Sequence, residues 1–277
     1  MSDTSRVESV AQAKQNSEYV DALTELLFQL ADDDFILAYR GSEWLGLAPY
    51  IEEDVAFSSM AQDMMGHAVM YYVMLEELGA GAADHLAQLR NPQGFRNAIL
   101  VERRNGAGDY KDNPHYDWAY AIVRSCLYGI FKQVRLEALT ASSYLPLQQV
   151  ARKMLTEHRY HLLHWQVWIK HLANSTAEAR SKLEVALDKV WDDLGELFEL
   201  GPKASSIVHL GLLASEEALL NRWTEKAQKL FEQNGLTWLG DPRSPSLKGR
   251  FGQHTDDLTE ALQTLSEVYR LDPTANW

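Results

Sequence analysis

Residues 147–172 read LQQVARKMLTEHRYHLLHWQVWIKHL. Apolar and aromatic side chains recur in this stretch every three to four residues, which is the period of one face of an α-helix. The inward stripe of the predicted helix runs through Val150, Met154, His158 or Glu157, His161, Trp165, Trp168 and Leu172. Histidines therefore face the predicted core, so this stretch bears on both the fold class and the question of a metal centre.

The same period continues through most of the chain and predicts an all-α protein, a ferritin-like four-helix bundle with additional C-terminal helices. The other predicted helices are Tyr19–Arg40, Ile51–Leu78, Tyr116–Ser142, Thr176–Phe198, Ala204 or Ile207–Asn234, and Asp256–Arg270. Residues 79–113 are predicted to be a long connection with a short helix near residues 83–90, and no strand is predicted. Gly235–Gly252 is rich in Gly, Pro and Ser and is predicted to be a surface loop. We expect residues 1–18 to form a flexible N-terminal extension and residues 19–277 to form a single domain.

Composition excludes several classes of function. The chain has 277 residues and a net charge of −13, which disfavours binding to nucleic acid because the phosphates would repel it. The sequence contains no run of 18 apolar residues, so no membrane-spanning helix is expected. The polar segment Met1–Asn16 lacks the apolar stretch of a signal peptide, which predicts a cytoplasmic protein.

Two predicted helices carry an inward histidine near an acidic residue. Di-iron bundles use a Glu-x-x-His pair on each of two helices, because residues three apart share a helix face. Here Met64 stands three residues before His67, and His158 stands three residues before His161. The acids that are present, Asp63 and Glu157, lie four residues before the two histidines. The preferred interpretation is a buried histidine held by a neighbouring acid, and the alternative is a metal site with unusual ligands.

Several motifs in a specific order resemble one known family. They are Arg40–Gly46 (RGSEWLG), Asn97–Glu102 followed by Asn105-Gly106, Glu157–His161 (EHRYH), Gly252–Leu258 (GQHTDDL), and Arg270–Pro273 with the closing Trp277. Together they resemble the C subunit, the PaaC type, of the phenylacetate-catabolism oxygenase, a 1,2-phenylacetyl-CoA epoxidase. The resemblance covers the chain from about Ala22 to Trp277.

The resemblance implies a ferritin-like fold and a place in a multicomponent monooxygenase. In such a complex a catalytic A subunit holds the di-iron centre, and a reductase subunit delivers electrons from a nicotinamide cofactor. The C subunit has lost the metal and binds the A subunit as a structural partner. The implied partners are therefore the A-type di-iron subunit and further subunits including the reductase, and no cofactor is expected in this chain.

The A subunit's ligand positions can be carried over through the matched motifs. They fall at Asp34, Met64, His67, Gly129, His158 and His161, and we call them the degenerate slots. Asp34 is the one carboxylate among them, so two ferrous ions would leave about three uncompensated positive charges in the core, at an idealised cost of order 20 kcal/mol per ion. The slots therefore predict no di-iron centre, no metal and no catalytic residue in this chain.

Two other interpretations remain open from the sequence. Asp34, His67, His158 and His161 form a ligand set that could hold one Zn or Fe ion, which would make the chain a metalloprotein with a rebuilt mononuclear site. Alternatively, the chain is a homo-oligomeric protein that binds an acyl-coenzyme A. Separately, Arg103 and Arg104 are either contacts for coenzyme A phosphates or solvated charges of a loop.

Overall fold

The computed structural model describes residues 6–275, which are almost entirely helical. The α-helices in this range are α1 Val10–Ala13, α2 Ser17–Ser42, α3 Ile51–Leu78, α4 Ala83–Gln88, α5 Ile99–Glu102, α6 Trp118–Leu139, α7 Leu145–Asn174, α8 Ala177–Trp191, α9 Ala204–His209, α10 Glu216–Gln233 and α11 Asp256–Ser266. Short 3-10 turns lie at Pro92–Gly94, Gly195–Phe198, Gly201–Lys203, Gly249–Phe251 and Tyr269–Leu271. The predicted all-α class with ferritin-like helices is confirmed.

Several predicted helices differ from the observed ones. The helix predicted over Tyr116–Ser142 is observed as Trp118–Leu139, and the one predicted to reach Arg270 ends at Ser266. The helix predicted to reach Phe198 ends at Trp191 and is followed by a 3-10 turn. The stretch predicted as one helix to Asn234 divides into α9 and α10. Gly211 adopts φ +67° between them, and the Ser215 side chain accepts a hydrogen bond from the Ala218 N–H to begin α10. Both breaks follow local backbone chemistry that helical periodicity does not reveal.

A small antiparallel hairpin contradicts the prediction that the chain contains no strand. Strands β1 Gly106–Asp109 and β2 Asp112–Tyr116 pair with Gly106 opposite Tyr116 and Asp109 opposite Asp112. Gly108 has φ +82°, and a Cβ there would lie 2.2 Å from the carbonyl oxygen of Asn113. The strands are polar and mostly exposed, so they lack the alternating pattern by which strands are recognised.

The chain divides into two compact units. The first comprises the segment up to Gln15, Asn105–Leu200 and Ala204–Pro245. Its central element is α6, which is buried on nearly all sides and packs against α7, α8 and α10. Trp191 and Trp223 are fully buried in its core and lie 5.8 Å apart between ring centroids.

The described part of the N-terminal extension has defined contacts within the first unit. The Val7 N–H donates to the Ser143 carbonyl and the Leu145 N–H donates to the Val7 carbonyl, both at 2.9 Å. Residues 1–5 of the predicted extension lie outside the described residues, and α2 begins at Ser17, inside its predicted end.

The second unit comprises Asn16–Arg104, Gly201–Lys203 and the chain from Ser246 onward. Helices α2 and α3 pack against each other along their length, and α11 packs on α2, α4 and α5. Asn16 caps α2 by accepting the Tyr19 N–H at 3.2 Å, and Gly79 ends α3 with φ 95°. In the described range, no helix has both the length and the hydropathy required to cross a membrane. Trp277, the closing residue of the family motifs, lies outside the described residues.

Candidate functional site

The degenerate slots of the second unit lie on α2 and α3. Asp34 and His67 are buried, with 0% and 1% of their surface exposed, as expected for an inward stripe. Met64 is only half-buried. A half-buried thioether is also a soft ligand that suits an oxygen-rich iron site poorly.

The degenerate slots of the first unit lie on α6 and α7, and all are buried. His158 donates a hydrogen bond from Nε2 to the main-chain carbonyl oxygen of Gly129 at 2.7 Å. A ring nitrogen that donates its proton to a carbonyl has no lone pair to offer a metal. The ring centroids of His158 and His161 are 6.2 Å apart at an interplanar angle of 80°. The bond joins α7 to α6 and excludes Nε2, but not the other ring nitrogen, as a metal ligand.

Gly129 brings no carboxylate to the α6 slot, and its surroundings are tight. A Cβ at this position would lie 3.2 Å from Leu162 Cδ1, which would have to shift slightly, and 3.7 Å from His158 Cε1, which is an ordinary contact. A glutamate would also have to bury its charge among these neighbours. Among residues 6–275, no three His, Cys, Asp or Glu side chains are grouped so that they could hold a metal ion. The residues present do not fit a di-iron centre, and the mononuclear alternative gains no support.

Comparison with known proteins identifies the family. The family described as phenylacetic acid catabolic protein matches residues 2–277. The chain belongs to this family. A similar curated protein is the C subunit of the 1,2-phenylacetyl-CoA epoxidase of Escherichia coli strain K12, which is 28% identical over 261 residues, covering 93% of this chain and all of that protein. The resemblance to the PaaC type is therefore confirmed, and the chain is associated with phenylacetate catabolism.

Several of the family motifs assemble in the second unit around buried acids. Asp33, fully buried on α2, accepts hydrogen bonds from both terminal nitrogens of Arg250 at 2.9 Å. It also accepts the Ala98 N–H at 2.9 Å. Arg250 is itself 1% exposed, although it lies at the end of the Gly235–Gly252 segment predicted to be a surface loop. That prediction is wrong at Arg250, because the ion pair draws this end of the segment into the core.

Asp32 forms a second buried cluster beside it. Its carboxylate accepts the Tyr72 hydroxyl at 2.6 Å and the Arg96 N–H at 2.7 Å, and it pairs with the Arg90 guanidinium. Burial, and then the Asp32 charge, raise the pKa of Tyr72 well above its usual value. Burial alone would lower the pKa of Arg90, but Asp32 and Tyr72 raise it. Arg90 also lies 3.9 Å above the centroid of the Phe95 ring.

Glu102 is the centre of the third cluster and connects three of the family motifs. Its fully buried carboxylate accepts His254 Nδ1–H and the Thr255 N–H at 2.7 Å, and the Thr255 hydroxyl and Asn97 Nδ2–H at 2.8 Å. His254 Nε2 lies 3.1 Å from the Phe95 carbonyl. With two donors on each oxygen, the Glu102 carboxylate has little capacity left for a substrate or a metal.

Arg40, from the first family motif, completes this arrangement. Its guanidinium donates to the Glu102 carbonyl and the Asp257 carbonyl at 2.9 Å, and to the Glu43 carboxylate at 3.0 Å. We call the clusters of Asp32, Asp33, Glu102 and Arg40 the acid network. Buried charges with paired and hydrogen-bonded partners hold segments in one arrangement, so the family motifs in this unit join separate segments of the chain.

Two other side chains, Arg104 and Cys126, have surroundings that suit a structural role. Arg104 pairs with Asp257 at 3.3 Å and with Glu260, so acidic partners already offset its charge. This arrangement does not favour a role in binding coenzyme A phosphates. Burial raises the pKa of the Cys126 thiol, which makes it a poor nucleophile.

The sequence interpretation missed Asp32, Asp33 and Arg250. The sequence did contain a signal, namely three consecutive aspartates within an otherwise apolar helical stretch. Acidic side chains are almost never fully buried unless they are paired, so this stretch indicated buried partners elsewhere in the chain.

Proposed function

We propose that this chain is a non-catalytic structural subunit of a multicomponent phenylacetyl-CoA 1,2-epoxidase, in which it docks the catalytic A-type di-iron subunit. The observation that carries the proposal is the composition of the degenerate slots, in which Asp34 is the one carboxylate and the α6 slot is Gly129, whose carbonyl accepts the His158 Nε2 proton. The similar protein from Escherichia coli is named as a subunit of that epoxidase, which supports the assignment to the complex.

The chemistry of the proposed complex would be divided among its subunits. Epoxidation of an aromatic ring by O2 requires a centre that activates O2 and a source of electrons. We assign the first to the di-iron centre of the A-type subunit and the second to a reductase subunit. The degenerate slots of this chain supply one carboxylate, Asp34, where a di-iron bundle uses four. The chain's own contribution would be a rigid surface against which the catalytic subunit is held.

Two properties of the chain support a scaffold role. The acid network joins α2 to the segments around Glu102 and His254 through buried, multiply bonded pairs, which gives the unit a single arrangement. Exposed large apolar side chains also follow one another between α2 and α3, at Leu45, Leu47, Tyr50, Ile51 and Val55. Clusters of exposed apolar side chains of this kind mark contacts between proteins.

Co-expression with the A-type subunit tests the proposal. We expect the two chains to co-purify, and the complex, once supplied with its reductase, to epoxidise phenylacetyl-CoA, whereas this chain alone shows no turnover. His161→Ala in this chain should leave turnover per assembled complex unchanged, because no step depends on its ring. Turnover by the chain alone, or loss of turnover in a His161→Ala complex that assembles normally, would overturn the proposal.

A further inference from the structure

The exposed face of α7 differs in charge from the rest of the chain. Along this face, between Gln149 and Asn174, the charged side chains are all basic: Arg152, Lys153, Arg159 and Lys170. No Asp or Glu is exposed on this helix, although the chain as a whole carries a net charge of −13. None of the four basic side chains forms an ion pair with another residue of the described range 6–275. The exposed charge of this face is therefore positive, although Glu157 is half-buried on the same helix.

The centre of the same face is apolar. Tyr160, Leu163 and Val167 are 69%, 57% and 57% exposed, and their spacing of three and four residues places them one above the other. The stripe from Arg152 to Lys170 extends for about 27 Å at the rise of an α-helix. An apolar centre flanked by charge is the usual anatomy of a contact between proteins.

A surface cavity adjoins this stripe. It has a volume of about 330 Å³ and is lined by Gln133, Glu137, Leu155, Thr156, Arg159 and Tyr160. The cavity lies where α6 and α7 meet and shares Arg159 and Tyr160 with the exposed face. Contacts between proteins concentrate their affinity where one large side chain enters such a cavity.

We propose that the exposed face of α7 is the docking surface for the A-type subunit, which covers it with a helix face that carries Asp or Glu on either side of an apolar row. This inference rests on the proposed function and identifies the surface through which this chain would bind the A-type subunit. A second copy of this chain meeting face to face would oppose like charges, which is costly. A free phosphate compound would leave Leu163 and Val167 exposed to solvent. An acidic protein face would both pair with the basic side chains and cover the apolar row.

Charge reversal tests the electrostatic part of the proposal. The double variant Lys153→Glu/Arg159→Glu is compared with Arg222→Glu/Lys229→Glu, which makes the same change of charge on exposed positions of α10. Association with the purified A-type subunit is followed by surface plasmon resonance at low and high salt. We expect the α7 variant to associate at least about tenfold more slowly at low salt, with the deficit shrinking as salt rises, and the α10 variant to match the wild type.

Apolar substitution tests the centre of the surface. Val167→Ser is compared with Val185→Ser, a residue of the same type and similar exposure on α8, and Tyr160→Ala removes the side chain at the cavity. We expect Val167→Ser and Tyr160→Ala to raise Kd, the latter at least about tenfold, and Val185→Ser to leave it unchanged. Circular dichroism establishes that each variant is folded. Wild-type affinity in the folded α7 variants would overturn the docking surface alone, whereas failure of the wild-type chain to bind would overturn the proposed function and this inference with it.

Discussion

The ion pair between Asp33 and Arg250 makes a quantitative prediction about the acid network. Arg250→Met removes two hydrogen bonds of 2.9 Å from a carboxylate that is 0% exposed, while the bond from the Ala98 N–H remains. Removing one partner of a buried ion pair costs about 3–5 kcal/mol, because the remaining charge stays buried without compensation. For a chain of this size we expect the melting temperature to fall on the order of 10 °C.

A matched control isolates burial as the cause. Lys203 pairs with Asp21 at 3.6 Å, but their side chains are 45% and 62% exposed. Lys203→Met also replaces a cation by methionine in the same unit, and we expect a change within about 0.5 kcal/mol, since exposed pairs contribute little. Thermal unfolding followed by circular dichroism at 222 nm measures both variants.

A double variant refines the same test. Asp33→Asn keeps an oxygen for the Ala98 N–H but removes the buried charge, so Asp33→Asn/Arg250→Met should recover part of the stability that Arg250→Met loses. The reasoning is refuted if Arg250→Met costs less than about 1 kcal/mol, or if the double variant loses as much as the sum of the two single variants.

Three further predictions concern other buried groups. Gly129→Glu should destabilise the chain by at least about 1–3 kcal/mol through overpacking against Leu162 and should not confer iron binding, with Ser125→Glu on the same helix as the half-buried comparison. Cys126 should react with a thiol reagent only when the chain unfolds, because it is fully buried and its pKa is raised; rapid reaction of the native chain would contradict this. Because the pKa of Tyr72 is raised in the folded chain, its phenol ionises first in the unfolded chain as pH rises through about 10, and the free energy of unfolding should fall there. Tyr72→Phe should reduce this alkaline loss of stability. An unchanged pH dependence in the variant would count against the assignment.

Helical periodicity predicted the long helices because each buries one stripe or more of apolar side chains. The bounds of α3 agree with the prediction at both ends. Acidic residues fill its first turn after Tyr50, and Gly79 ends it in a left-handed conformation. Periodicity could not predict the β1–β2 hairpin, because its polar strands are held by main-chain pairing and by Gly108, whose backbone leaves no space for a side chain.

The candidate site was predictable in its residue types but not in its contacts. Met64 stands three residues before His67, where the di-iron motif has a glutamate, so the missing carboxylate was visible in the sequence. The bond from His158 to the Gly129 carbonyl depends on how closely α6 and α7 approach, which a single sequence does not encode as a local pattern. Likewise, Asp33 and Arg250 are 217 positions apart, so their pairing follows from the tertiary fold alone.

The central claim is that this chain supports a metal centre that it does not itself hold. Iron analysis tests it most directly, on the purified chain alone and on its complex with the A-type subunit, each reconstituted with ferrous iron and freed of excess metal. The account predicts no stoichiometric iron in this chain alone and about two iron atoms per A-type subunit in the complex. Iron approaching two atoms per chain in the isolated protein would contradict it.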